Sequence, residues 1–473
     1  MVFQNNVLSG AGGSGTTTYA IGQSIRINDD DNAYLSRTLS TASDGGKTYT
    51  FSWWQKLGSK YGAQAQYIIH TDLSGGNPAD YLYWYNDNLQ YWSGSLYLRT
   101  DREFRDPSAW YHFVFVRDTT QAVSSERLRL YVNGIRETSF STESYPSLNS
   151  SGYFNTNTAH YIGGANTSSN RLDSYMAEIH FLDGLGYDPS FFGEFNSSGI
   201  WIPKEYTGSY GSNGFKIDGR DSSDLGDDES GNGNDFTSNN LTASDQVLDS
   251  PTNNFAVMNP LADYYANHTF RNGNLELLTS TTTNQYTYSI NNIGMSSGKW
   301  YTELYVGSAV GTALTGISDR QSQGGTHYLG GQSYEYSYYS YNGKSINGGT
   351  QSTYGNTYTT GDIIGIALDL DNSKLYFSKN GTFKNSGDPT SGSTGTGAVS
   401  ITAVGSTQNG HYFFAVGDYS NAYSTNFFWN FGQEGTFAGN TTAGGNSDGN
   451  GVGNFKYSVP SGYLALCTKN LGS

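Results

Sequence analysis

Apolar and polar side chains alternate in short runs, each closed by a turn signal, and this constrains the chain more than any other feature. In 48–54 (Thr-Tyr-Thr-Phe-Ser-Trp-Trp), Tyr49, Phe51 and Trp53 fall on one face, which is strand periodicity. The same reading applies to 24–28, 81–85, 89–92, 110–117, 127–132, 159–163 and 175–182, and further on to 299–306, 313–318, 334–341, 363–370, 374–378, 412–416, 425–431 and 463–468. Asn133-Gly134, Asn342-Gly343 and Asn380-Gly381 sit between such runs as hairpin turns. No convincing helical stretch interrupts them. Composition agrees: only 14% of residues are charged, against about 25% in an average chain, and Ser, Thr, Asn, 61 Gly and 39 Tyr supply the polarity. That mixture disfavours helix and suits strands and tight turns.

The runs form two blocks. Length (473 residues) suggests several domains. The expected class is all-β: two antiparallel β-sandwich, jelly-roll-like domains joined by an acidic Gly/Asn/Ser-rich connector. The boundaries read as an N-terminal arm or tether over 1–21, a sandwich over 22–202, the connector over 203–269 and a second sandwich over 270–473. The connector is placed by its acidic residues between Asp218 and Asp235, opposed only by Arg220.

The net charge is −16 and no basic run occurs, which disfavours nucleic acid and anionic membrane surfaces as partners. No apolar stretch is long enough to insert in a membrane, and the opening Met1-Val2-Phe3-Gln4-Asn5-Asn6 lacks the features of a secretory signal. A single cysteine, Cys467, excludes an internal disulfide. The expected origin is a bacterial cytoplasm, with release by another route such as lysis.

Motifs for catalysis are missing. The seven histidines are scattered, with no His-x-x-x-His spacing, and no phosphate-cradling glycine motif is found. His180 shares a face with Glu178 and is expected at solvent; His112 shares one with Val114 and Val116 and is expected to be half-buried and satisfied. Asp29-Asp30-Asp31-Asn32 and the run 227–235 have the composition of a Ca2+ loop without EF-hand spacing, so bound Ca2+ and solvated acidic turns both stand as readings.

The first block resembles the laminin-G/concanavalin A-like sandwich. The resemblance rests on Trp110-Tyr111-His112-Phe113-Val114-Phe115-Val116-Arg117, Leu128-Arg129-Leu130-Tyr131-Val132-Asn133-Gly134, Tyr161-Ile162-Gly163-Gly164 and Ala177-Glu178-Ile179-His180-Phe181-Leu182-Asp183. The second resembles an SPRY domain through Gly298-Lys299-Trp300-Tyr301-Thr302-Glu303-Leu304, the run 361–371 and Lys374-Leu375-Tyr376-Phe377-Ser378-Lys379-Asn380-Gly381. The pairing, with Phe3-Gln4-Asn5-Asn6 and Ser230-Gly231-Asn232-Gly233-Asn234-Asp235-Phe236, resembles structural proteins of tailed bacteriophages. That resemblance implies a virion protein on a tail fibre, appendage or capsid, with other virion proteins as partners and a homo-oligomeric state, a trimer for a fibre.

Concanavalin A-like sandwiches include glucanases, which carry Glu-x-Asp-x-x-Glu on a strand. This chain has none; the nearest approach, Asp101-Arg102-Glu103-Phe104-Arg105-Asp106, reads as an exposed turn with local ion pairs. The expectation is therefore no enzyme. Aromatic side chains, 15% of residues, carry the candidate binding surface: Tyr83, Trp84, Tyr85, Tyr91 and Trp92 in the first block, Tyr334, Tyr336 and Tyr338 in the second. Their rings could stack on sugars, or pack against a neighbouring subunit or the second sheet. The readings carried forward are a non-enzymatic virion surface protein binding host-surface glycan or receptor, a capsid decoration, cement or fibre-scaffold protein, and a glycan depolymerase.

Overall fold

The computed structural model describes residues 19–39, 44–58, 64–73, 77–164, 170–262, 268–279, 288–309, 312–320, 327–419 and 424–472. Most of the arm expected over 1–21 lies outside these residues. The chain divides into two compact units, one ending at Asn254 and the other beginning at Phe255.

The first unit holds two eight-stranded sheets among its described residues. One runs in the order Ile135–Arg136, Leu128–Val132, Trp110–Asp118, Thr48–Leu57, Ser174–Asp183, Ser24–Ile27, Gln246–Val247, with Phe215–Ile217 also paired to Ser174–Asp183. The other runs Phe140–Glu143, Leu96–Thr100, Asn88–Ser93, Asn77–Tyr85, Gln66–Leu73, Ala159–Ile162, Tyr34–Thr38, Thr237–Asn239. All named pairings here are antiparallel, as Asn-Gly hairpins require; Asn133 and Gly134 have φ of 49° and 78°, a left-handed pair that matches strand twist. Between the sheets lies a core in which Tyr49, Phe51, Trp53, Trp84, Phe113 and Phe115 are buried together. The odd positions of 48–54 do face this core.

The acidic segment departs from its expected role as a connector. Phe215–Ile217, Thr237–Asn239 and Gln246–Val247 extend both sheets, so residues up to Asn254 belong to the first unit. The acids are spent on tightening turns. The Asp228 carboxylate accepts from the backbone N–H of Lys216 (2.8 Å), Ser230 (2.9 Å) and Asn234 (2.8 Å). Asp249 is fully buried: its carboxylate meets Lys56 Nζ at 2.7 Å and accepts from the Trp110 indole at 2.9 Å. Buried charges need such partners.

The second unit has a nine-stranded sheet built around Lys299–Ser308, Ile363–Asp369 and Asn426–Asn430, and a six-stranded sheet built around Phe413–Asp418, Ala313–Ser318 and Glu335–Tyr339. Its core gathers Leu304, Ile364, Ile366, Phe377, Phe414 and Trp429. The fold is thus nearly all-β, with one short α-helix, Thr468–Leu471, and a few single-turn 3-10 helices among the described residues. None of the described helices is long and apolar enough to cross a membrane.

Candidate ligand-binding face

The Asn77–Tyr85 strand shows how alternation divides the candidate residues. Leu82 and Trp84 point into the core; Trp84 is fully buried, edge-on to Phe104 at 5.1 Å and Phe113 at 5.6 Å. Tyr91, paired with Leu82, also faces inward and is buried, its hydroxyl accepting from Arg117 at 3.2 Å. Trp84 and Tyr91 therefore leave the candidate site: they are packing residues, closed to any ligand arriving from solvent.

The opposite face of the same sheet carries Tyr81, Tyr83, Tyr85 and Trp92, and strand pairing adds residues that the sequence reading did not select. Tyr67 is registered with Tyr83, His70 with both Tyr81 and Tyr161. The rings form a continuous row. Trp92 stacks on Tyr81 (5.8 Å, 13°), Tyr81 meets Tyr67 (5.2 Å) and Tyr83 (5.0 Å), Tyr67 meets His70 (4.9 Å), His70 stacks on Tyr161 (4.9 Å, 14°), and Tyr161 meets Tyr34 (6.0 Å). Tyr34, Tyr81, Tyr85, Trp92 and Tyr161 keep part of their surface open. Sequence spacing could not reveal the row, because five separate strands supply it.

Burial sets its electrostatics. It pushes the Tyr83 hydroxyl up to about 12, with Tyr67 adding to the rise, and raises Tyr67 and Tyr81 as well. These hydroxyls stay protonated. Burial, with a contribution from His160, lowers His70 to about 3, so its ring is neutral at ordinary pH. Among the described residues neither His70 ring nitrogen makes a hydrogen bond; an Asp72 carboxylate oxygen stands 3.6 Å from Nε2. One edge of the row is polar: Tyr83 donates to Gln90 Oε1 at 2.7 Å, and Arg99 donates to Asn88 Oδ1 at 3.2 Å. The arrangement offers flat apolar ring faces beside neutral hydroxyl groups, braced by the buried Gln90 and Asn88 amides, which suits a ligand with one apolar face and several hydroxyls.

The second unit's tyrosines do not form a comparable face. Tyr336 and Tyr338 are buried in its core, with Tyr336 hydrogen-bonded at Thr402 Oγ1 (3.0 Å) and Tyr338 donating to the Asn356 carbonyl. Tyr334 is half-buried with φ +65°. The reason is that both faces of Glu335–Tyr339 are covered. On the other side Glu335 accepts from the Tyr288 hydroxyl at 3.0 Å and from the N–H groups of Gln332 and Gly330, and burial raises its carboxyl.

Other expectations resolve similarly. His180, expected at solvent, is buried under Tyr210 and Phe192, bonded to Glu178 Oε2 (3.1 Å) and the Tyr210 hydroxyl (3.0 Å). The segment after Asp183 folds back over that face of the sheet. His112 is satisfied, as expected, but fully buried. In 101–106, Arg105 pairs with Asp87 and Glu103, each at 2.7 Å, and Asp101 accepts from the Ser139 hydroxyl. Among the described residues no three His, Cys, Asp or Glu side chains are grouped to hold a metal ion. In the two acidic runs considered for Ca2+, Asp228 and Asp31 bind their own loops.

Residues 29–185 match the concanavalin A-like lectin/glucanases superfamily (laminin G type), and residues 299–417 match the SPRY domain. Both domains named from sequence motifs are therefore present. No curated protein matches the chain. Among solved structures, the SPRY domain of human HERC1 is 17% identical, covering 32% of this chain and 86% of its own, at a TM-score of 0.26. A Bacteroides ovatus protein provisionally described as carbohydrate-binding is 16% identical over 47% of this chain and 59% of its own, at 0.31. A heptameric pentraxin from Limulus polyphemus is 16% identical over 35% and 78%, at 0.27. Scores of this size carry no functional argument.

Proposed function

We propose, for a chain that carries a concanavalin A-like and an SPRY domain, that it is a non-enzymatic binding protein whose first unit holds a glycan on the outer aromatic row. The observation that carries this reading is the continuity of the row: rings from Tyr34 to Trp92 follow one another at 4.9–6.0 Å, with Tyr34, Tyr161, Tyr81 and Trp92 partly open to solvent and Tyr67 and His70 buried beneath and between them. A pyranose presents an apolar face to such rings, and the protonated hydroxyls of the partly exposed tyrosines, with Asp72, meet its hydroxyl groups. Stacking of this kind is individually weak, so repeated copies in a homo-oligomer raise the effective concentration.

The resemblance of the whole chain to tailed-phage structural proteins supports placing this activity on a virion surface, on a tail fibre or appendage, with host-surface glycan as ligand and other virion proteins as neighbours. A trimer is the state proposed for a fibre. The test is binding of the purified chain to an oligosaccharide array and to host cells, compared with Tyr81→Ala and Trp92→Ala. Loss of binding in both, with the circular dichroism spectrum unchanged, supports the reading. Equal binding by both variants overturns it. Release of new reducing ends from host polysaccharide would replace the binder with a depolymerase. Sedimentation of the chain alone tests the oligomer.

A further inference from the structure

A second site is built on the other sheet of the first unit, where residues 188–204, beyond the stretch that matches the lectin/glucanase superfamily, pack over Tyr131 and Gly134 within it. After the turn Pro189–Phe191, capped by Asp188 Oδ1 accepting from Ser190 N at 2.9 Å, the chain forms the hairpin Gly193–Phe195 with Trp201–Pro203. The hairpin and the Asn133-Gly134 turn enclose an open cleft of about 580 Å³, lined by Tyr131, Asp188, Glu194, Phe195, Trp201 and Lys204.

The cleft is held in shape from beneath. The Trp201 indole donates to His112 Nδ1 at 3.0 Å, and His112 Nε2 lies 2.9 Å from Ser52 Oγ. With Nδ1 accepting, Nε2 carries the proton and donates to Ser52; burial lowers this imidazole to about 3, so it stays neutral and Nδ1 stays an acceptor. Glycines fit the indole: a Cβ at Gly134 or Gly193 would stand 2.4 Å from its ring atoms. Phe195 then meets Trp201 nearly edge-on at 4.9 Å while remaining 51% exposed. Around this apolar floor stand an exposed Glu194 carboxylate, Asp188, and Lys204, whose Nζ donates to the Ser190 carbonyl at 3.1 Å.

We infer that this cleft is a second binding site, for a neutral saccharide of one or two rings. Its volume lies within the range of small-ligand sites. Its lining pairs an exposed aromatic ring with a carboxylate that accepts and an ammonium that donates, and an uncharged polyol satisfies both signs at once. A cation would meet Lys204, and an anion would meet Glu194 and Asp188. The inference shares the ligand class of the proposed function but no residue with the aromatic row, so the two can fail separately.

The experiment is ligand-observed NMR on the full chain with methyl glycosides of glucose, galactose and N-acetylglucosamine and their disaccharides, in a Tyr81→Ala/Trp92→Ala background that disables the row. Expected is residual saccharide binding that falls about tenfold or more when Phe195→Ala is added, the loss of one stacking contact, and that weakens again with Glu194→Gln. Phe195 is exposed, so its removal spares the fold; thermal melting confirms this. Absence of residual binding, residual binding indifferent to Phe195→Ala, or binding of tetramethylammonium in place of every sugar overturns the inference. The first of these outcomes, with wild-type binding intact, leaves the aromatic row standing.

Discussion

Tyr81 and Trp84 lie on one strand, yet one is half-exposed in the outer row and the other is sealed between Phe104 and Phe113. Trp84→Ala removes the largest kind of core side chain and is expected to cost about 3–5 kcal/mol, whereas Tyr81→Ala costs about 1 kcal/mol or less; denaturant midpoints of the two variants check this contrast. Titration adds a second prediction. Burial lowers His70 and His112 to about 3 and His160 to about 4 from an ordinary 6.5. An unfolded chain takes up these protons below 6.5 and the folded one does not. The stability contribution of these three is therefore complete above 6.5 and is lost as pH falls towards 3–4. Glu303 in the second unit has the opposite sign. Burial raises it to about 7 from 4.5, against the opposing N–H groups of Lys456 and Tyr457, at 2.7 and 2.8 Å. Its contribution is complete below 4.5 and is lost as pH rises through 7, so Glu303→Gln is expected to flatten the pH profile of the second unit's unfolding between those values. Thermal melts across pH measure both effects.

At the scale of elements, turn chemistry was readable from sequence where the whole signal is local. Asn133-Gly134 and Asn380-Gly381 both adopt positive φ, between strands whose alternation is plain in the chain. Gly134→Ala places a Cβ in a left-handed residue and against the Trp201 ring, and is expected to destabilise the first unit by about 2 kcal/mol or more; the shift in its unfolding midpoint is the readout. The strands of the acidic segment were not readable. Gln246–Val247 has two residues and Thr237–Asn239 three, too few for alternation to show, and Asp and Asn around them resemble a solvated loop. Only pairing across the sheet makes them strands. Asp249 gives a direct test: Asp249→Ala leaves Lys56 buried without its carboxylate and is expected to cost about 3–5 kcal/mol, far more than a residue in a linker would.

At the scale of the molecule, the two units each close their own core, and the boundary falls after Asn254. A fragment ending at Asn254 is expected to give a cooperative melt, while one ending at residue 202 loses one of the two partner strands of each of Ser24–Ile27 and Tyr34–Thr38, leaving both as open edges, and is expected to be degraded more rapidly by protease. Two-sandwich class, hairpin positions and the two domain resemblances could all be read from the chain, because period-two alternation, Asn-Gly turns and sequence motifs are each contained in a few neighbouring residues. Which face of Asn77–Tyr85 meets solvent, that Tyr336 and Tyr338 are interior, and that His70 and Tyr161 join Tyr81 in one row were decided only in three dimensions. Alternation marks two faces and does not say which is covered; that depends on the sheet or loop packed above, supplied by residues far away in sequence.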